Sequence, residues 1–323
     1  MTQVAGSCFL QTMPATQDSL LPIRAALRPE GLYLALRQIA PSELRDAFMQ
    51  ETVLRLPAPE TLVHLPRAEL DRQPLERPPA GLIFHVARCG STLVSQMLKR
   101  CDSVVVYAEP LPINEILLPP HPWPRADLVA ALRAVGAALA RHAGRPYVLK
   151  FSSWNTLYCD LLAEAFPQSP WALCLRDPAE VAVSLLKDTP GWLKDTDEPA
   201  QRLARVIDPA GASRGREEYY ARLYAAFCDA ATQLDPARGK LLRYETLPAA
   251  VWEVLAPHFS LALDERQRQA MLQAARQYSK APVGQPTDFA PDAASKQAAV
   301  SAALRQAVAA LALPALQRLT ART

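Results

Sequence analysis

Gly81-Leu82-Ile83-Phe84-His85-Val86-Ala87, followed at once by Arg88-Cys89-Gly90-Ser91-Thr92, is the stretch that decides the fold. A short apolar run with strand propensity ends in a turn containing a glycine, and an amphipathic helix, Leu93 to Arg100, starts directly after it. Glycine lets the backbone come close to a ligand. The free N–H groups and positive end of the next helix face the same turn. Arg88 adds a fixed positive charge, and Ser91 and Thr92 add hydroxyl donors. The segment therefore reads as a phosphate cradle. The alternative is that a Ser or Thr hydroxyl only caps the helix while Gly90 makes the turn. It is not a Walker A loop, because no Lys stands between the glycine and the hydroxyl pair.

The same alternation continues downstream. Strand candidates lie at 104–107, 146–151, 171–176 and 240–244, and helices at 125–142, 155–166, 178–187 and 215–234. Past 244 the chain reads as mostly helical, with an irregular break at 281–292. Strands alternating with helices predict an α/β fold: a parallel sheet flanked by helices, binding its ligands beyond the carboxyl ends of the strands. Residues 1–77 read as a separate, small, mainly helical N-terminal extension, with helix candidates at 20–28 and 42–53; residues 78–323 form the main domain. The Pro-rich stretch from Pro57 to Pro79 reads as a connection, and the polar loop 188–214 as a lid.

Composition narrows the classes. The 323 residues are 50% hydrophobic and 21% charged, as in ordinary globular proteins, which excludes collagen-like and mainly disordered chains. A net charge of +3 gives no case for nucleic acid or a membrane surface as partner. Six scattered Cys and five His contain no zinc spacing, so no metal site is expected. Free thiols and the lack of a signal-peptide pattern or a membrane span point to a cytoplasmic enzyme. Oligomeric state is not legible.

A second motif runs Leu175-Arg176-Asp177-Pro178-Ala179-Glu180-Val181-Ala182-Val183-Ser184. Asp177 as N-cap, Pro178 at the first helical position and Glu180 at the third make a good helix start. That accounts for those three residues, but not for Arg176 at a strand end or Ser184 two turns along. An Arg fork and a hydroxyl suit a second phosphate.

Together the two motifs resemble those of sulfotransferases that use 3′-phosphoadenosine 5′-phosphosulfate, over roughly residues 80–290. The likeness is closer to carbohydrate-type and bacterial members than to cytosolic ones. It implies a P-loop-type fold and transfer of a sulfuryl group to a hydroxyl or amine of a small-molecule or carbohydrate acceptor, with no metal required. By this resemblance Arg88, Cys89, Gly90, Ser91 and Thr92 hold the 5′-phosphosulfate, and Arg176 and Ser184 hold the 3′-phosphate. Leu93 replaces an adenine-stacking Trp, leaving Tyr244 as the candidate for stacking; the alternative for Tyr244 is a half-buried strand residue. Lys280 is a candidate for the basic C-terminal loop. The cytosolic pattern seeks a His two residues after a strand Lys, but Lys150 is followed by Ser152, a poor base. Glu109, after the second strand, is the candidate base, with Glu115 as understudy; the alternative is a surface carboxylate near a turn. Lys150 is either placed to neutralise the leaving oxygen or a solvated strand-end residue. His85 reads as a satisfied core residue. Trp192, Trp154 and Trp123 are either cleft-lining or packing residues. A P-loop-type kinase and a non-catalytic nucleotide-binding protein are the alternative functions.

Overall fold

Five apolar runs form one parallel sheet in the computed structural model, which describes residues 20–70, 72, 75–277 and 292–322. They are β4 (Gly81–His85), β5 (Val105–Ala108), β6 (Tyr147–Lys150), β7 (Trp171–Leu175) and β8 (Gly239–Arg243). Their order is β5-β6-β4-β7-β8, so the strand that carries the glycine turn lies at the centre. The three inner strands are buried on both faces, which is why they read as unbroken apolar runs rather than alternating ones. The α/β expectation holds.

Upstream of the sheet, the chain forms β1 (Leu20–Arg28), β2 (Gly31–Gln38), α1 (Met49–Arg55), β3 (Glu60–Pro66) and α2 (Arg67–Leu70). The main helices after it are α3 (Ser91–Leu98), α4 (Leu111–Leu117), α5 (Arg125–Ala143), α6 (Cys159–Ala165), α7 (Pro178–Lys187), α8 (Glu198–Ile207) and α9 (Arg216–Ala231). Further short helices follow, among them Glu265–Ala275 and Ala293–Ala298.

The register of the sheet sets the site. Ala108 and Lys150 are partners across β5 and β6, as are Leu175 and Arg243 across β7 and β8. One residue further on, Glu109 lies against Lys150, and Arg176 lies against Tyr244. All four reach the carboxyl rim, where parallel sheets of this kind bind ligands.

The N-terminal extension is not mainly helical. Residues 20–28 form a strand, and β1, β2 and β3 make an antiparallel three-stranded sheet. The residues from Ile23 to Arg28 alternate buried and exposed with period two, and Arg28 pairs with Gly31 across a hairpin. The stretch read as a connection contains β3 and α2, and the lid loop contains α8. Only the end of the 42–53 candidate is α-helical, as part of α1.

The extension packs onto the main sheet's helices: β1 lies against α4 and α5, and the buried apolar residues of both parts form one continuous cluster. Among the described residues no helix is long and apolar enough to cross a membrane.

Leu149 in β6 and Leu21 in β1 are both fully buried. Replacing either by Ala is expected to cost about 2–5 kcal/mol of unfolding free energy in urea titrations. Because the core is shared, both losses are expected in one common transition. A separate early transition confined to Leu21→Ala would contradict this.

Candidate functional site

The N-terminus of α3 is the first part of the site. Gly90 is its N-cap, with φ +85°, and no side chain caps the helix. Ser91 and Thr92 occupy the first two helical positions, so the capping alternative fails and the first-turn N–H groups are left to other partners. A Cβ on Gly90 would lie 2.8 Å from Cδ2 of Tyr244, so the ring and the left-handed backbone both require glycine. Arg88 and Glu109 have φ of +59° and +56°, in the region that side chains other than glycine's seldom occupy. Such strain costs about 1–3 kcal/mol per residue and concentrates at functional sites.

Glu109 and Lys150 form the second part. Lys150 is 1% exposed, and its ammonium donates to Oε1 of Glu109. Ser152 Oγ donates to Oε2 of Glu109 at 3.2 Å and accepts from Nδ2 of Asn114 at 3.1 Å. Ser152, a poor base by its chemistry, thus orients the Glu109 carboxylate. His85 Nε2 lies 4.0 Å from Oε1 of Glu109, while its two ring nitrogens each lie 2.9 Å from a carbonyl oxygen, of Val86 and of Phe151. Burial pushes the Glu109 carboxyl up, but the charges of Lys150 and His85 and the hydrogen bonds from Lys150 and Ser152 outweigh it. The net shift is downward. Phe48, from the N-terminal extension, stands with its ring centroid 5.4 Å from the Lys150 ammonium.

Arg176 and Tyr244 form the third part. The Arg176 guanidinium lies 3.9 Å from the Tyr244 ring centroid, so one face of that ring is covered. Asp177 caps α7, accepting from the N–H groups of Ala179 and Glu180 at 2.9 and 3.0 Å. Glu180 does more than help start the helix: its Oε2 accepts from Nε of Arg176 at 2.7 Å. Asp292 Oδ1 accepts from Nη2 of Arg176 at 2.8 Å.

These parts open on one cavity of about 610 Å³. Arg88, Cys89, Gly90, Ser91 and Thr92 line it, as do Glu109, Lys150, Arg176, Ser184 and Tyr244. Two motifs 88 residues apart at their arginines (176 − 88) are therefore brought together. Lys280 lies outside the described residues. Glu115 is absent from the lining; it is pinned instead to β1, where its carboxylate takes Nε of Arg24 and the N–H of Ala25. Of the three Trp candidates, Trp192 lines the cavity; Trp154 packs edge-on against Tyr158, and Trp123 lies under Arg67.

Several lining residues had no sequence motif to mark them: Phe48, Asp188, Lys194, Asp292 and Lys296. Asp188 takes the Arg88 guanidinium through both its carboxylate and its carbonyl. Arg88 Nε is buried and has no hydrogen-bond partner among the described residues. The described lining carries five cations (Arg88, Lys150, Arg176, Lys194, Lys296) against three carboxylates (Glu109, Asp188, Asp292). Excess positive charge, an uncapped helix N-terminus and an orphaned guanidinium nitrogen fit a polyanionic ligand.

No family model matches the chain, and no curated protein matches it. Solved structures similar to it include a sulfotransferase domain from the Synechococcus PCC 7002 olefin synthase, 18% identical over 73% of this chain and 94% of its own, with a TM-score of 0.46. A sulfotransferase from Alicyclobacillus acidocaldarius is 17% identical over 76% and 95%, with a TM-score of 0.44. A sulfotransferase domain from the curacin biosynthetic pathway is 17% identical over 59% and 77%, with a TM-score of 0.39.

Glu109, held below its ordinary value of 4.5, is ionised at neutral pH, and its pairing stabilises the fold above that value. That stability is lost as pH falls through the lowered folded value. Lys150→Met removes the largest of the charges that lower it, so the Glu109 titration followed by carboxyl NMR is expected to move up. An unmoved midpoint would contradict the assigned cause.

Proposed function

We propose that the chain is a sulfotransferase that binds 3′-phosphoadenosine 5′-phosphosulfate and moves its sulfuryl group to a hydroxyl or amine of a small-molecule or carbohydrate acceptor. One observation carries this: the glycine turn and the Arg176–Ser184 pair line the same cavity, together with a carboxylate and a buried ammonium. A nucleotide with anionic groups at both ends of its ribose needs two anion seats facing one space.

In this assignment the 5′-phosphosulfate lies at the first-turn N–H groups of α3, with Arg88, Ser91 and Thr92 around it. The 3′-phosphate lies at Arg176 and Ser184. Tyr244 links the two seats, since its ring occupies the space a Cβ on Gly90 would need and lies 3.9 Å from the Arg176 guanidinium. With one face covered by Arg176, the ring has at most its other face for adenine.

The acceptor oxygen forms a bond to sulfur as the bond from sulfur to the bridging phosphate oxygen breaks. Glu109 takes the acceptor's proton. Lys150 and the positive end of α3 offset the charge left on the phosphate oxygen, a preorganised electrostatic role that the protein groups supply themselves. In the resting pair Glu109 is a weak base because Lys150 holds its pKa down. A polyanion beside Lys150 counters that field and restores basicity to the carboxylate.

Calorimetry with adenosine 3′,5′-bisphosphate is expected to show binding to the wild type and a loss of about 100-fold or more in the Arg176→Ala, Ser184→Ala double variant, as for removal of charge-assisted phosphate contacts. Glu109→Gln is expected to lower sulfuryl transfer by about 10²–10⁴-fold with little change in nucleotide affinity. Wild type without affinity would remove the donor assignment, and unchanged turnover would remove Glu109 from the mechanism.

A further inference from the structure

Arg176 is 5% exposed, and its guanidinium is gripped by two carboxylates that are not equivalent. Glu180, in the first turn of α7 and four residues on from Arg176, is itself buried, and has its second oxygen held by Nε2 of Gln297 at 3.0 Å. It is a fixed part of the wall. Asp292 comes from the start of the Ala293–Ala298 helix, and its side chain is 46% exposed. One of its oxygens sits 2.8 Å from Nη2 of Arg176 and the other 2.8 Å from Nζ of Lys296. Arg176, Asp292 and Lys296 all line the cavity.

A solvent-reachable carboxylate thus bridges a buried guanidinium and an ammonium, inside a cavity built for anions. This is the pattern of contacts a phosphate would make, since its oxygens accept from an Arg fork and a Lys together. We propose that Asp292 is the resting occupant of the 3′-phosphate seat, and that the nucleotide's 3′-phosphate displaces it and takes over both Arg176 and Lys296. This rests on the donor assignment made above. The exchange is physically reasonable in both directions. Without Asp292 the buried guanidinium would keep Glu180 as its one carboxylate partner, so Asp292 adds a second counter-charge that stabilises the empty protein. A phosphate monoester carries roughly twice a carboxylate's charge and has three acceptor oxygens, so it competes successfully for the same two cations. Asp292 therefore lowers affinity for the 3′-phosphate while Lys296 raises it.

The test pairs two nucleotides, adenosine 3′,5′-bisphosphate and adenosine 5′-monophosphate, which lacks the 3′-phosphate. Asp292→Asn keeps the shape and removes the charge. It is expected to tighten binding of the bisphosphate about tenfold by calorimetry, equivalent to about 1.4 kcal/mol. Binding of the monophosphate should change less than about twofold, and the free variant should melt at a lower temperature than wild type. Lys296→Met is expected to weaken the bisphosphate about tenfold and spare the monophosphate. If wild type binds the bisphosphate but Asp292→Asn leaves it unchanged or weaker, the resting-occupant proposal is overturned and the donor assignment stands. Equal tightening of both nucleotides would also overturn it, by showing a general field effect. A wild type that binds neither nucleotide overturns both.

Discussion

A parallel sheet ends all its strands on one rim, and two lateral pairings on that rim determine what this protein can hold. Ala108 opposite Lys150 brings Glu109 to the ammonium, and Leu175 opposite Arg243 brings Arg176 to Tyr244. Slipping either pairing by one residue would turn the side chain to the other face of the sheet and dismantle the site. Because β4 lies between these two strand pairs, its glycine turn stands at the middle of the rim. The shared core of main sheet and N-terminal sheet keeps that register fixed, and the extension adds Phe48 over Lys150.

Charge compensation is the second organising feature. Lys150 carries Glu109, Arg88 carries Asp188, and Arg176 carries Glu180 and Asp292. Cations gathered this closely around a cavity repel one another, and the partly buried ones lose hydration, so the empty protein supplies its own anions. One internal pair also sets an acidity: the Lys150 ammonium holds the Glu109 carboxyl below its ordinary value. The cavity thus offsets part of its own charge and keeps an excess of cations among its described lining.

The sequence made visible whatever local chemistry decides. The start of α7 follows from Asp177 and Pro178, and both its ends, Pro178–Lys187, match the expected helix 178–187. The central strands followed from apolar runs bounded by turn residues, and the residues just past their ends proved to be the cavity lining. Long-range packing decided the rest. Residues 20–28 suit a helix by propensity, and they are a strand because β2 pairs with them. Glu115 looked like a second acid near the rim, but β1 draws its carboxylate away. Asp188 and Asp292 meet their arginines across 100 and 116 residues of chain, and no spacing rule reaches that far. Asp292 and Lys296 did carry a weak local signal, an acid and a base four apart on a helix, which is more often a solvated surface pair.

The most direct measurement is a crystal structure with adenosine 3′,5′-bisphosphate bound. The account predicts one nucleotide spanning the cavity, its 5′-phosphate on the N–H groups of Gly90 to Thr92 and its 3′-phosphate on Arg176 beside Ser184. A nucleotide seated elsewhere, or one that reaches only one of the two seats, would contradict it.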